Sequence, residues 1–242
     1  SLREFNLAVE SQPGYWRAFN ARGVFYYQLG DYANAVDNFT RVTILNPENS
    51  SAFSNLGTAK YFTGDFGGAI EAWEQSQALS PGREALSNLG PGSYYLRDSD
   101  MAQVMYKKAI EAAPNDHRVW GNLADTQRMA NLGTTAAENY RRAIDLAMEE
   151  HAINDSDPMN LSRLAVYHAA LENREPAMEF LSQARESGAD NPFVLYDIVI
   201  ACLLLDSPSE ASDFYRELAN SGFPKSILDA EPMFEALPGM AN

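Results

Sequence analysis

Three asparagines, Asn55, Asn88 and Asn122, stand 33 and 34 residues apart. A primary amide carries two donors and a two-lone-pair acceptor, the complement of a peptide backbone, so amides at constant spacing suit an extended peptide ligand. Amides bonded to neighbouring helices would instead steady the fold. Six residues after Asn55 and Asn88 come Tyr61 and Tyr94, and Tyr27 holds that place one repeat earlier, with Phe62 and Tyr95 adjacent. Tyrosine gives contact area at small entropic cost and keeps a polar tip, so the series would floor a peptide groove. The same rings would equally serve packing between helices, which is the expectation for Phe62. Arg118 with Arg128 offers a guanidinium pair for a ligand carboxylate or phosphate. Arginines of this kind are also commonly solvated or paired within a fold.

Other chemistry finds little support. His117, His151 and His168 are scattered, without the spacing of a metal-binding pair. Cys202 is single, which excludes an internal disulfide and a thiolate metal site. It sits in an apolar run, where an inert thiol is expected. No Gly-rich phosphate loop follows a strand pattern. The expectation is a non-enzyme with no metal and no cofactor.

Charge narrows the partners. The formal net charge is −15, with 13 Lys/Arg against 15 Asp/Glu in residues 1–143 and 5 against 18 in residues 144–242. Such a chain repels a phosphate backbone or an anionic membrane surface, so nucleic acid and direct membrane contact are not expected. The longest apolar run, 193–205, has 13 residues and contains Asp197, too short to span a bilayer of about 30 Å. No leader peptide is visible, and a cytoplasmic setting is expected.

The elements that must position these residues follow from four prolines. Pro13, Pro47, Pro81 and Pro114 lie 34, 34 and 33 residues apart, the period of a stack of identical supersecondary units. Aligned on them, the chain repeats Phe19, Arg22-Gly23, Gly30-Asp31, Ala35 and Phe39 as Phe53, Leu56-Gly57, Gly64-Asp65, Ala69 and Trp73. A third unit follows through Leu89-Gly90, Ala102 and Tyr106, and a fourth through Leu123-Ala124, Ala136 and Tyr140. Apolar residues recur at intervals of three and four on both sides of a central break, as in two amphipathic helices. Glycine at the break permits the left-handed end of the first helix, and aspartate suits the start of the second.

This pattern resembles the tetratricopeptide repeat (TPR). The resemblance implies an all-α, right-handed superhelical solenoid of TPR helix hairpins whose first helices line a concave face. It also implies that asparagines at the slot of Asn55, Asn88 and Asn122 bond a peptide backbone, making residues 16–130 a protein-interaction surface. The chaperone-tail-binding subclass needs basic residues where this chain has Ser51, Ser54, Glu84 and Ser87, so that partner is disfavoured.

The register also predicts the boundaries. Residues 1–12 read as the second helix of a repeat whose first helix lies upstream; 16–152 as four hairpins, the last extended; 157–221 as two degenerate hairpins through Leu164-Ala165 and Ile198-Val199; and 222–242 as a cap. The leading helix would expose an apolar edge and allow homo-association. Pro91, midway along a first helix, is expected to kink or break it. The stretched repeat and tail resemble the C-terminal repeat region of bacterial multidomain signalling proteins, such as Ser/Thr kinases and adenylate cyclases. The expected function is a module binding a peptide or partner domain. The alternative is an intramolecular scaffold that positions or inhibits an upstream catalytic domain.

Overall fold

The computed structural model of the protein describes residues 1–81, 83–188 and 190–237, except for the side chains of residues 83–87. The expectations placed on Glu84 and Ser87 therefore lie outside the described residues. Among the described residues the regular structure is helical throughout. Helix α1 (Leu2–Ser11) precedes six hairpins: α2 (Trp16–Gln28) with α3 (Tyr32–Leu45), α4 (Ser50–Thr63) with α5 (Phe66–Leu79), α6 (Arg83–Tyr95) with α7 (Ser99–Ala112), α8 (His117–Met129) with α9 (Gly133–His151), α10 (Pro158–Ala170) with α11 (Arg174–Gly188), and α12 (Pro192–Leu204) with α13 (Pro208–Asn220). A short helix α14 (Lys225–Ala230) and a 3-10 segment, Pro232–Ala236, follow. The helices form two compact units, Ser1–Ala112 and Ala113–Asn242.

Each hairpin turns on one residue in the left-handed region: Gly30, Gly64, Arg97, Asn131, Glu172 and Asp206, with φ between 54° and 86°. In every turn the next amide donates to the carbonyl five residues back, from Asp31 N–H to Tyr26 O (3.0 Å) through to Ser207 N–H to Cys202 O (2.9 Å). That bond closes the first helix and fixes the exit direction. Only the first two turns use glycine; the other four accept a cost of roughly 1 kcal/mol for placing a Cβ there. Asp31, Asp65 and Asp98 then cap the second helices by accepting from Asn34, Gly68 and Met101 N–H.

Small residues let the paired helices touch. A Cβ on Gly23, Gly57 or Gly90 would lie 2.8, 2.6 or 2.2 Å from the ring of Phe39, Trp73 or Tyr106, sixteen residues on. Ala35, Ala69 and Ala102 on the second helices are fully buried. Trp73 Nε1 also donates to Ser54 O at 3.2 Å, tying α5 to α4.

The break expected at Pro91 is absent: α6 runs uninterrupted from Arg83 to Tyr95. Gly90 abuts Tyr106, and a Cβ on Gly92 would come within 2.8 Å of Ile70. Packing on both flanks carries the backbone past the missing N–H. The lengthened fourth hairpin is present as the 19-residue α9. Met148 in its last turns is 39% exposed, while the His151 ring lies edge-on to Phe180 of α11 at 5.7 Å. No helix of the described residues is long and apolar enough to cross a membrane.

Candidate functional site

Asn55 and Asn88 occupy the same position of α4 and α6, immediately before the buried pairs Leu56-Gly57 and Leu89-Gly90. Both are half-buried, and their side-chain amides make no hydrogen bond among the described residues. Asn122 holds that position on α8 of the second unit, with an equally unengaged amide. In the two hairpins after it the slot passes to Arg163 and Asp197. Arg163 Nε lies 3.2 Å from Asp197 Oδ2, and Ser162 Oγ donates to the same oxygen at 2.8 Å. Burial pushes the Asp197 carboxyl up, against the pull of Arg163 and Ser162. Burial works to lower the Arg163 pKa, but the Asp197 charge outweighs it and the net shift is upward.

The tyrosines are drawn into packing. Tyr27 and Tyr32 meet Phe62 from the next hairpin, with centroids 5.9 and 4.9 Å away. One period later Tyr61 and Phe66 meet Tyr95 at 5.7 and 5.0 Å. Each triad joins the two helices of one hairpin to the first helix of the next. Tyr27 and Tyr61 remain half-buried; burial, and then the neighbouring Tyr32, raises the Tyr27 pKa. Tyr94 touches Tyr95 at 5.1 Å and lies half-exposed at the end of α6. Packing thus engages the Tyr27 and Tyr61 rings, Tyr61 also meeting Phe62 and Trp73 at 5.3 and 5.9 Å.

Arg118 and Arg128 are not brought together. Ten residues along one helix separate them by about 15 Å, too far to grip one carboxylate. Arg118 clamps the capping residue Asp116 with two bonds of 2.9 Å. Arg128 reaches the Tyr140 hydroxyl (3.3 Å), which donates to Asp125 Oδ1 (2.6 Å), and also Met233 Sδ (3.1 Å). The contact with Met233 had no signal in the sequence, because the segment after α13 follows no repeat register. That segment also places Glu231 on the Tyr196 hydroxyl and Phe234 against Tyr196 and Tyr215.

His117 and Cys202 are buried in packing. His117 Nδ1 lies 3.2 Å from the Tyr167 hydroxyl. The Cys202 thiol is buried and pushed up to about 11, chiefly by burial and then by Glu210. It sits under an open groove of about 430 Å³ where Arg185 covers the Phe214 ring at 4.5 Å. Among the described residues no three His, Cys, Asp or Glu side chains are grouped to hold a metal ion.

Comparison with known proteins matches the hairpin pattern to the tetratricopeptide repeat family over residues 16–49 and again over 88–151. Over these two stretches the chain matches the tetratricopeptide repeat. Tetratricopeptide repeat protein 36 of Homo sapiens is 36% identical over 67 residues, 28% of this chain and 35% of its own length. The matches span only 24% to 40% of the curated relatives' lengths. Among solved structures, the Cut9–Hcn1 assembly of the APC/C aligns with 93% of this chain and 44% of its own, with TM-score 0.64 and 16% identity. YrrB, described as a TPR protein with an unusual peptide-binding site, aligns over 81% of this chain and 98% of its own, with TM-score 0.52 and 15% identity. At these identities the likeness establishes the fold: an all-α solenoid of repeat hairpins. Repeats of this family are protein-interaction modules.

Proposed function

We propose that the first unit binds an extended peptide, or an extended segment of a partner domain, along the face formed by α2, α4 and α6. Asn55 and Asn88 hold the ligand backbone, and Tyr27, Tyr61 and Tyr94 receive its side chains. Asn122 offers the same amide on the second unit. One observation carries this reading: the amides recur at repeat spacing, half-buried, without a hydrogen bond among the described residues. Half-buried amides with unused donors and acceptors favour a ligand that supplies the missing bonds. The peptide-binding site named for YrrB lends support by analogy.

Selection of binders from a random peptide array, followed by titration of the best one, tests it. Asn55→Ala with Asn88→Ala should weaken binding roughly 30-fold, at about 1 kcal/mol for each lost amide contact, with helicity and melting unchanged. Unchanged affinity, or collapse of the fold, assigns the amides to structure instead.

The wider setting belongs to the same proposal: a cytoplasmic regulatory region of a larger bacterial signalling enzyme of Ser/Thr kinase or adenylate cyclase type, supported by the resemblance of the stretched repeat and tail. The second reading is an intramolecular scaffold for such a catalytic domain. It is favoured by the chain's packing of its own C-terminal segment onto first helices, 105 residues away in the case of Arg128 and Met233. Capture of the catalytic domain but of no array peptide would select it. Homo-association through α1 is a further element, supported by Leu7, 55% exposed there. Concentration-dependent light scattering, abolished by Leu7→Glu, would establish it.

A further inference from the structure

The segment after α13 makes contacts that capping the last hairpin does not require. Phe223, Ile227 and Leu228 are buried, Phe223 against Phe193 and Tyr196 of α12. Residues 231–237 go further. The Glu231 carboxylate accepts the Tyr196 hydroxyl through one oxygen and Met233 N–H through the other at 3.1 Å. Met233 Sδ accepts from Arg128 Nη2 on α8, two hairpins earlier. Phe234 inserts between Tyr196 and Tyr215, with ring centroids 5.5 and 5.2 Å away.

Two features make this segment ligand-like. Its flanks are extended, Glu231 at φ −69°, ψ 112° and Leu237 at φ −71°, ψ 135°. Its anchors also fall on repeated register positions of the first helices: Arg128 stands at the position of Tyr61 and Tyr94, and Tyr196 adjoins the position of Asp197. Glu231 is 2% exposed, and burying a carboxylate is costly unless specific donors await it. An apolar side chain would serve a plain cap better.

We propose that the surface offered by Arg128 of α8, Tyr196 of α12 and Tyr215 of α13 is a peptide-recognition groove that the chain fills with its own residues 231–237. The partner it fits carries the same chemistry: a carboxylate followed, three residues on, by an aromatic ring, on a 3-10 turn between extended flanks. The segment competes with that partner, whose apparent affinity falls with the fraction of chains in which the groove is open. This inference does not depend on Asn55 and Asn88, which lie in the other unit.

The test uses the full chain and a fluorescein-labelled synthetic peptide of residues 229–237. Wild type should bind it at least tenfold more weakly than Glu231→Gln/Phe234→Ala, read by fluorescence anisotropy. Adding Tyr196→Phe to the opened variant should cost about tenfold in affinity. A peptide with its own acid and aromatic replaced should not bind. Equal binding of the intact and replaced peptides, or no gain in a variant that keeps its helical circular dichroism, overturns the proposal. Should the double variant unfold, hydrogen exchange of wild type decides: amides of 233–237 should exchange through local opening, well before those of α12. Exchange only with global unfolding makes the segment part of the core and sinks the idea.

Discussion

Arg163 and Asp197 occupy the same register position in successive hairpins, and their side chains meet, Nε 3.2 Å from Oδ2. One period earlier the position holds Asn122, and in the first unit Asn55 and Asn88. A slot that presents amides early in the array is closed by an ion pair later. Asp197 is 1% exposed, so its charge depends on Arg163 and Ser162.

Removing one partner strands the other. Arg163→Met should lower unfolding free energy in urea by about 3 kcal/mol, whereas Arg163→Met with Asp197→Leu should recover most of the loss. Without the guanidinium the Asp197 pKa rises further, and the neutral acid is the form the fold tolerates. The deficit of the single variant is therefore full above that raised pKa and narrows as pH falls through it. A deficit independent of pH would contradict the assignment.

His117 provides a second pH dependence. Burial, followed by the Arg118 charge, lowers its pKa to about 4, although Asp116 pulls the other way. Glu150, 3.6 Å from Nε2, is too solvent-exposed to reverse this. The folded pKa lies below the unfolded value of about 6.5, so the unfolded chain binds more protons between the two. The neutral imidazole's contribution is complete above pH 6.5 and fades as pH falls to about 4, a loss of about 3 kcal/mol. His117→Gln should flatten the pH dependence of the urea midpoint across that window; an unaltered slope would remove His117 as its source.

The close helix contacts rank the glycines. Gly90→Ala, whose Cβ would lie 2.2 Å from the Tyr106 ring, should destabilise by about 2 kcal/mol, and Gly57→Ala against Trp73 by a similar amount. Gly67 has nothing within 4 Å, and Gly67→Ala should stabilise by about 0.5 kcal/mol. Thermal melts of the three variants check the order.

The left-handed turn at Glu172, with φ 61°, invites the opposite experiment. Glu172→Gly should raise the melting temperature, by relief of about 1 kcal/mol, and Gly64→Ala should lower it. A decrease for Glu172→Gly would mean that the exposed carboxylate contributes more than the backbone costs.

The period, the glycine-aromatic pairs and the Gly-Asp turns were legible because each expresses a contact within one hairpin, where sequence separation is fixed. Pro91 misled because a local backbone rule was overridden by packing of Gly90 on Tyr106 and Gly92 on Ile70. The paired roles suggested for Arg118 and Arg128 failed on distance along a single helix, with Asp116 and Met233 taking the two groups separately.

By itself the sequence determined the helix hairpin, its length and the residue types at each repeated slot, because periodic burial and turn chemistry act over a few residues. Only tertiary structure decided how slots of different hairpins combine: Phe62 on Tyr32, Arg163 on Asp197, and Met233 on Arg128. Those contacts join residues 30 to 105 positions apart, and their geometry follows from how successive hairpins stack within each unit.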